Sequence, residues 1–122
     1  MMYALLLYGD ENVGPQPGSE EFAEEMKEWF VYTQAVEEAG VMRGGEALQP
    51  EAAATTVRVR DGKTVIAEGP FAETKEALGG FYLIDVEDLD AAISWAERIP
   101  SVGYGSVEVR PVMDTSELPG ME

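Results

Sequence analysis

The sequence predicts an α+β fold, a ferredoxin-like sandwich in which two helices cover one face of an antiparallel sheet. Three observations predict it. Strand-like apolar runs flank two amphipathic helical segments, so that a β-α-β order occurs twice along the chain. An Asp-Gly pair between two alternating segments marks a β-hairpin inserted between the two halves. Clusters of Gly and Pro separate the elements.

The first half begins with a strand and continues with a helix. Residues 2–8 are uniformly apolar and precede Gly9-Asp10, which is typical of a buried strand. After a loop rich in Gly and Pro, Ser19 is placed to cap a helix that ends at Gly40. Its expected apolar stripe consists of Phe22, Met26, Trp29, Phe30, Thr33 and Val36. A second strand is predicted over residues 41–48.

The second half repeats this order after the hairpin. The hairpin strands are predicted over 56–60 and 63–67, and the next strand over 80–86. Asp88 caps a second helix that Pro100 ends. Its expected apolar stripe consists of Leu89, Ala92, Ile93, Ala96 and Ile99. A last strand over 106–112 completes a domain of residues 1–113, and we expect residues 114–122 to be a flexible C-terminal tail.

The predicted sheet is apolar on both faces, although two helices cover only one. The first strand carries Tyr3, Leu5 and Leu7 on one face and Ala4, Leu6 and Tyr8 on the other. An exposed apolar sheet of this size is unusual, so something must cover its second face. We expect a second copy, sheet against sheet, which makes a homodimer that buries about 800 Å² per partner. The alternative cover is the hairpin or the C-terminal tail folding back.

The composition excludes several kinds of site. The 122 residues include no cysteine and no histidine, so disulfides, thiolate metal sites and histidine-dependent triads are excluded. We therefore expect neither a metal nor a cofactor. The net charge of −16 argues against nucleic acids and anionic membranes as partners. The first apolar run is too short for a transmembrane helix and lacks a basic leader, which favours a cytoplasmic protein.

The most informative segment is 68–86. A Gly-Pro turn leads into the polar cluster Glu73-Thr74-Lys75-Glu76, which precedes Gly79-Gly80 and an apolar strand. Charged groups held on a short loop against a stiff strand are a common arrangement for small-molecule sites. The two Gly pairs match no nucleotide-binding fingerprint, and we expect them to permit bulges or close approach of the backbone.

Basic residues concentrate near this segment. Five of the eight, Arg43, Arg58, Arg60, Lys63 and Lys75, fall between positions 43 and 75. This clustering is consistent with an anion-binding face, whereas the alternative is that each cation pairs with a surface glutamate.

Several segments together resemble a known family. They are Gly44-Gly45-Glu46, Gly69-Pro-Phe-Ala-Glu-Thr-Lys-Glu76, Leu78-Gly-Gly-Phe-Tyr-Leu-Ile-Asp-Val86, Trp95-Ala96 and Val107-Glu-Val-Arg-Pro111. The chain thereby resembles the YCII-related proteins, specifically their DGPF-domain branch. The resemblance implies a ferredoxin-like fold, a homodimer of the dimeric α/β-barrel type and a small-molecule cleft between sheet and helices. It also connects the family with extracytoplasmic-function sigma factors.

The chain departs from this family's patterns at two points. The aspartate that names the motif is Glu68 here, which keeps the carboxylate but lengthens its reach by one methylene. In the wider YCII group a His-Asp pair is proposed as catalytic, and a chain without histidine cannot use that chemistry.

Two functions follow as predictions. The first is a small cytoplasmic homodimer that binds a small molecule between sheet and motif loop, with or without cofactor-free enzymatic activity. The residues predicted to line this cleft are Glu46, Arg58, Glu68, Phe71, Glu73, Thr74, Lys75 and Tyr82. Lys75 is the candidate base, against the alternative of a purely structural ion pair, and Tyr8 and Tyr82 offer phenols. The second function is a non-catalytic regulatory or protein-interaction module, linked to sigma-factor-controlled transcription.

Overall fold

Six strands and two helices build the computed structural model, which describes residues 1–72 and 74–120. In chain order the elements are β1 (Met2–Gly9), α1 (Glu20–Glu38), β2 (Met42–Ala47), β3 (Thr55–Arg60), β4 (Lys63–Glu68), β5 (Ala77–Asp85), α2 (Leu89–Glu97) and β6 (Ser106–Pro111). Single turns of 3₁₀ helix lie at Glu51–Ala53 and Thr115–Glu117. The predicted element order is confirmed.

The main sheet has four antiparallel strands in the order β2-β5-β1-β6. Each β-α-β half therefore contributes one central strand and one edge strand, and the central strands β1 and β5 pair with each other. This arrangement confirms the predicted ferredoxin-like sandwich. Pro111 lies at the end of an edge strand, where its missing N–H costs no ladder hydrogen bond.

Gly79 and Gly80 serve the two roles expected of them. The register between β1 and β5 shifts at Leu7/Tyr8, which leaves Gly79 as the extra residue of a bulge. A Cβ at Gly80 would lie 2.8 Å from the carbonyl oxygen of Glu46. The close approach of β2 and β5 therefore requires a residue without a side chain at position 80.

Both helices begin at the predicted caps. The Ser19 hydroxyl accepts a hydrogen bond from the Phe22 amide at 3.1 Å, and the Asp88 carboxylate accepts one from the Ala91 amide at 2.9 Å. Each helix thus has one of its first free amides satisfied by its own cap.

The core lies between the two helices and one face of the sheet. On that face, the covered face, Tyr3, Leu5 and Leu7 pack with Ile84 and Val86 from β5 and its end. The helices contribute Tyr32, Val36, Ala92 and Ala96, and Ile99 follows α2. The predicted stripes are wrong for Met26, Phe30, Leu89 and Ile93, which are exposed. In α1 the buried aromatic is Tyr32, whose hydroxyl donates to the Trp95 carbonyl oxygen at 2.9 Å.

The opposite face of the sheet carries no helix. Ala4, Leu6 and Tyr8 point there from β1, opposite to the buried Tyr3, Leu5 and Leu7. The register adds Leu78, Phe81 and Leu83 from β5, Glu46 from β2, and Ser106, Glu108 and Arg110 from β6. We call these residues the open face. Its central side chains are neither buried nor fully exposed.

Strands β3 and β4 form a two-stranded sheet of their own, as predicted for the inserted hairpin. Asp61 and Gly62 at its turn have φ angles of 51° and 75°. Positive φ at both central residues is the signature of a type I′ turn, which matches the right-handed twist of the strands. All six residues of β4 are exposed.

The C-terminal segment carries local structure beyond β6. The turn Thr115–Glu117 is capped by Asp114, whose carboxylate accepts from the Ser116 amide at 3.0 Å. The flexibility of residues 114–122 stays a prediction. Within the described residues, no helix has the length and apolar character needed to cross a membrane.

Candidate functional site

The register brings the motif loop, residues 69–76, to one end of the main sheet. Gly9 at the end of β1 pairs with Ala77, which directly follows the loop. Tyr8 pairs with Ser106 at the start of β6, and Ala47 at the end of β2 pairs with Gly80. The hairpin leaves the sheet at this same end, because it connects β2 to the motif loop.

Hydrogen bonds hold the two ends of the motif loop. At its start, Gly69 has a φ of 94°, donates its amide to the Ala54 carbonyl at 2.7 Å and accepts from the Thr56 hydroxyl at 2.8 Å. At its end, the Glu76 carboxylate accepts from the Ser106 hydroxyl at 3.2 Å. The Thr74 hydroxyl donates to the Glu76 carbonyl at 2.6 Å. The loop is therefore tied to both the hairpin and β6.

Arg58 is the link between the hairpin and the middle of the loop. Its guanidinium donates to the Phe71 carbonyl oxygen at 3.4 Å, and its side chain is only partly exposed. The Phe71 ring itself is 78% exposed. Arg58 and Phe71, both predicted for the cleft, are thus brought together through the backbone, with the aromatic ring directed to solvent.

Glu46 and Tyr8 belong to the open face at the end near the motif loop. Glu46 pairs with Phe81, and Tyr8 pairs with Leu78, so that all four side chains share this face. From the sequence, Tyr8 is predicted to lie on this second face and to offer a phenol, but it is not among the predicted lining residues. Its place follows from counting alternate residues along β1 from the buried Leu5 and Leu7.

Lys75 is exposed, and within the described part of the chain no carboxylate oxygen lies within ion-pair distance of its ammonium group. Of the structural ion pairs predicted for Lys75, those with Glu46 and Glu76 are not formed, and the third partner, Glu73, lies outside the described residues. Glu68 is also exposed, at the end of β4 opposite Thr55. Glu73, which was predicted for the cleft, lies outside the described residues.

Tyr82 is separated from the other predicted residues. It pairs with Leu5 on the covered face, where its hydroxyl shares a hydrogen bond of 2.8 Å with the Thr33 hydroxyl. Its ring lies edge-on to Tyr32 at a centroid distance of 5.3 Å. Burial raises the pKa of the Tyr82 phenol. The structure does not bring this phenol together with Glu46, which lies on the other side of the sheet.

Two surface grooves lie elsewhere, along α1. One of about 370 Å³ is lined by Pro15, Glu20, Glu21, Glu24, Glu25 and Glu28. The other, of about 410 Å³, is lined by Glu24, Lys27, Glu28, Val31, Tyr32, Arg98 and Pro100. Both are apart from the motif loop. In the described residues, no three carboxylates come together in a way that could hold a metal ion.

Comparisons with known proteins agree with this fold. The family of YCII-related domains matches residues 1–116. An uncharacterized protein of Rhizobium meliloti (strain 1021) is 41% identical over 114 residues, which is 92% of each chain. The solved structure of a 5-chloro-2-hydroxyhydroquinone dehydrochlorinase from Burkholderia phenoliruptrix AC1100, in complex with 2,5-dihydroxybenzoquinone, aligns with a TM-score of 0.50. It is 15% identical and the alignment covers 93% of this chain and 94% of that chain, a likeness of fold alone.

Proposed function

Since the chain belongs to the family of YCII-related domains, we propose that it works as a cytoplasmic homodimer that binds a small anionic molecule. The site is the end of the open face beside the motif loop. One observation carries this proposal: an apolar sheet face without a helix ends at a loop that carries Lys75 and receives a hydrogen bond from Arg58, and in the described chain neither cation has a carboxylate partner.

The homodimer supplies the missing cover. Leu6, Phe81 and Leu83 form an apolar centre on the open face, and charged residues lie on its edge strands. Packing two such faces together buries about 800 Å² per partner, which is the size of a standard stable interface. A hollow between the two sheets then opens toward the motif loops. This arrangement is the dimeric α/β barrel that the sequence resemblance implies.

Each group at the loop end has a chemical role in binding. The Lys75 ammonium and the Arg58 guanidinium attract an anionic group, and arginine can hold it with two parallel hydrogen bonds. The Tyr8 phenol can donate or accept, while Leu78 and Phe81 contact an apolar body. Lys75 is exposed in the single chain, so it becomes a catalytic base only if the second copy and the ligand remove it from water.

The solved structure of the dehydrochlorinase supports a small-molecule role for a chain of this fold. It is a dehydrochlorinase with a small quinone bound, and its fold matches nearly the full length of this chain. A fold that holds a small hydroxylated ring there is able to hold a small molecule here. Its reaction does not transfer, because the two chains share 15% identity.

A second candidate is a non-catalytic regulatory module linked to sigma-factor-controlled transcription. The observation that favours it is the internal pairing of the motif loop: the side chains of Thr74, Glu76 and Arg58 all bond within the chain. A filled interface with every polar group paired is what an interaction module would have.

The test combines association with ligand binding. Sedimentation at micromolar concentration should give a dimer, and Leu83→Glu on the open face should give a folded monomer. A pool of small carboxylates and phosphates is then screened by thermal shift against the natural chain and Lys75→Ala. A compound that stabilises only the natural chain supports the site.

Lys27→Ala is the matched control, because Lys27 is a similar exposed cation on α1, ion-paired with Glu24 at 3.3 Å. Equal shifts in Lys75→Ala and Lys27→Ala would exclude Lys75 from the site. A natural chain that sediments as a monomer would refute the homodimer.

A further inference from the structure

The β3–β4 hairpin, residues 55–68, projects from the end of the sheet, and we call it the arm. Its two strands bond to each other and not to the main sheet. A two-stranded hairpin is only marginally stable in water by itself and usually requires cover on one face. Strand pairing alone therefore does not stabilise the arm, and one of its faces needs a partner surface.

One side of the arm is apolar and exposed. Val57 pairs with Ile66 across the ladder, and Val59 follows on the same face. Their exposed fractions are 61%, 67% and 59%. Three branched apolar side chains of this exposure on one narrow ribbon are typical of a contact surface.

The other side of the arm is cationic. Arg58, Arg60 and Lys63 share this face, because Arg60 pairs with Lys63 and lies two residues after Arg58. In the described chain none of the three has a carboxylate within ion-pair distance, whereas Lys27, Arg43 and Arg110 are each paired. Over residues 55–68 the arm carries these three cations against two carboxylates, Asp61 at its turn and Glu68 at its end.

We propose that the arm docks on a second copy of this chain, with its apolar side buried and its cations meeting acidic residues of that copy. The charge distribution selects this occupant: the chain has a net charge of −16, so a positively charged arm is complementary to almost any other surface of a second copy. The most acidic element available is α1, whose first half carries Glu20, Glu21, Glu24, Glu25 and Glu28.

This inference rests on the homodimer of the proposed function and adds to it a second contact between the copies. The arm begins and ends at the motif-loop end of the sheet, and Arg58 already bonds to the Phe71 carbonyl of that loop. An arm held by the second copy therefore fixes the position of the loop. Closing the ligand site then depends on the association of the two copies.

The test places a spin label on the arm and observes a different copy. The chain has no cysteine, so Thr64→Cys gives a single nitroxide on the exposed part of β4. The copy with the nitroxide is mixed with natural chain that carries ¹⁵N and no nitroxide. Amide signals of the ¹⁵N copy are then broadened only where the two copies are in contact. Ser94→Cys, on the exposed side of α2, is the matched control.

The expected result is broadening of a contiguous set of amides in the ¹⁵N copy, with the glutamates of α1 among them, and a different set for the control label. A mixture that sediments as a dimer but shows no broadening from the Thr64→Cys label would overturn the arm contact and leave the proposed homodimer standing. A mixture that sediments as a monomer would overturn both.

A second measurement uses affinity. The double variant Val57→Ser with Ile66→Ser should raise the dissociation constant of the dimer at least about tenfold, since two apolar side chains are lost from the buried contact. Arg60→Ser should weaken association and reduce its dependence on salt, while Arg43→Ser, at the end of β2 away from the arm, should do neither. Unchanged dissociation constants in variants whose spectra show an intact fold would overturn the arm contact.

Discussion

The two faces of the main sheet carry the same kind of apolar residue, but one face is buried under the helices and the other is partly exposed. Leu5 on the covered face is 0% exposed, while its neighbour Leu6 on the open face stays partly exposed. Alternation along β1 provides apolar side chains for both faces, but the chain has only two helices and places both on one side. The apolar residues on a sheet face therefore indicate that this face needs a cover. The number of helices in the chain decides whether the chain itself supplies that cover.

The largest expected effect separates the two leucines directly. Leu5→Ala should lower the free energy of unfolding by about 2–5 kcal/mol, because it leaves a cavity in a closed core. Leu6→Ala should cost about 1 kcal/mol or less in the single chain, since less of its surface is buried. Urea unfolding of both variants at a concentration where the chain is monomeric measures the difference. Equal losses would mean that the single chain covers both faces.

A methyl group added at Gly80, next to the bulge, tests how closely β2 and β5 approach each other. Gly80→Ala should cost about 1–3 kcal/mol, because the added Cβ would meet the Glu46 carbonyl oxygen at 2.8 Å. Gly79→Ala is the matched control. Its Cβ would meet only the Leu7 carbonyl at 3.9 Å, and the change should stay within about 1 kcal/mol. Thermal unfolding of both variants would contradict this if Gly79→Ala were the more damaging.

The cap of α2 tests how firmly that helix is held on the covered face. Asp88→Ala removes the acceptor of the Ala91 amide and should lower the free energy of unfolding by about 1 kcal/mol. Glu87→Ala, one residue earlier, has no such role and should change it by less than about 0.5 kcal/mol. Denaturant midpoints of the two variants give the comparison, and a larger loss in Glu87→Ala would exclude the cap as the cause.

The smallest effect is a dependence on alkaline pH that belongs to the covered face. Burial raises the pKa of the Tyr32 phenol above its ordinary value of 10.0, and the neighbouring Tyr82 raises it further. As the pH rises, the unfolded chain loses this proton before the folded chain does. The contribution of Tyr32 to the free energy of unfolding is therefore complete below pH 10.0 and declines as the pH rises above it.

Tyr32→Phe should therefore flatten the loss of stability above pH 10.0, although at neutral pH it costs about 1 kcal/mol through the lost bond to the Trp95 carbonyl. Denaturant midpoints of the natural chain and of the variant, measured on both sides of pH 10.0, test this. An equally steep decline in both would assign the effect to other groups, such as Tyr104, whose pKa burial and the Glu25 carboxylate raise.

The parts of the fold that were predicted correctly depend on local chemistry. Ser19 and Asp88 cap helices, and Asp61-Gly62 turns a hairpin, through bonds and φ angles confined to a few residues. The side of α1 that faces the core, in contrast, is decided by contacts with residues far away in sequence. Phe30 and Tyr32 are both aromatic, and Tyr32 is the buried one because the Trp95 carbonyl on α2 receives its hydroxyl.

The candidate site was predicted in part for the same reason. The motif loop could be located from its own residues, since Gly69 requires its positive φ and the polar cluster follows at once. Tyr8 and Tyr82 could not be assigned to the loop end and the core from residue type. Alternation along each strand gives the face of each tyrosine, but the side chains that lie beside it depend on the register of strands far apart in sequence and on the bulge at Gly79.

The pairing of β1 also governs the order in which the molecule can assemble. Among the described strands, β1 is the earliest, and its neighbours in the sheet are β5 and β6, the two latest. During synthesis on the ribosome it must wait for most of the chain before either neighbour exists, with apolar side chains on both sides of it in water. Such distant pairing slows folding and lengthens the time during which these apolar side chains are exposed to aggregation.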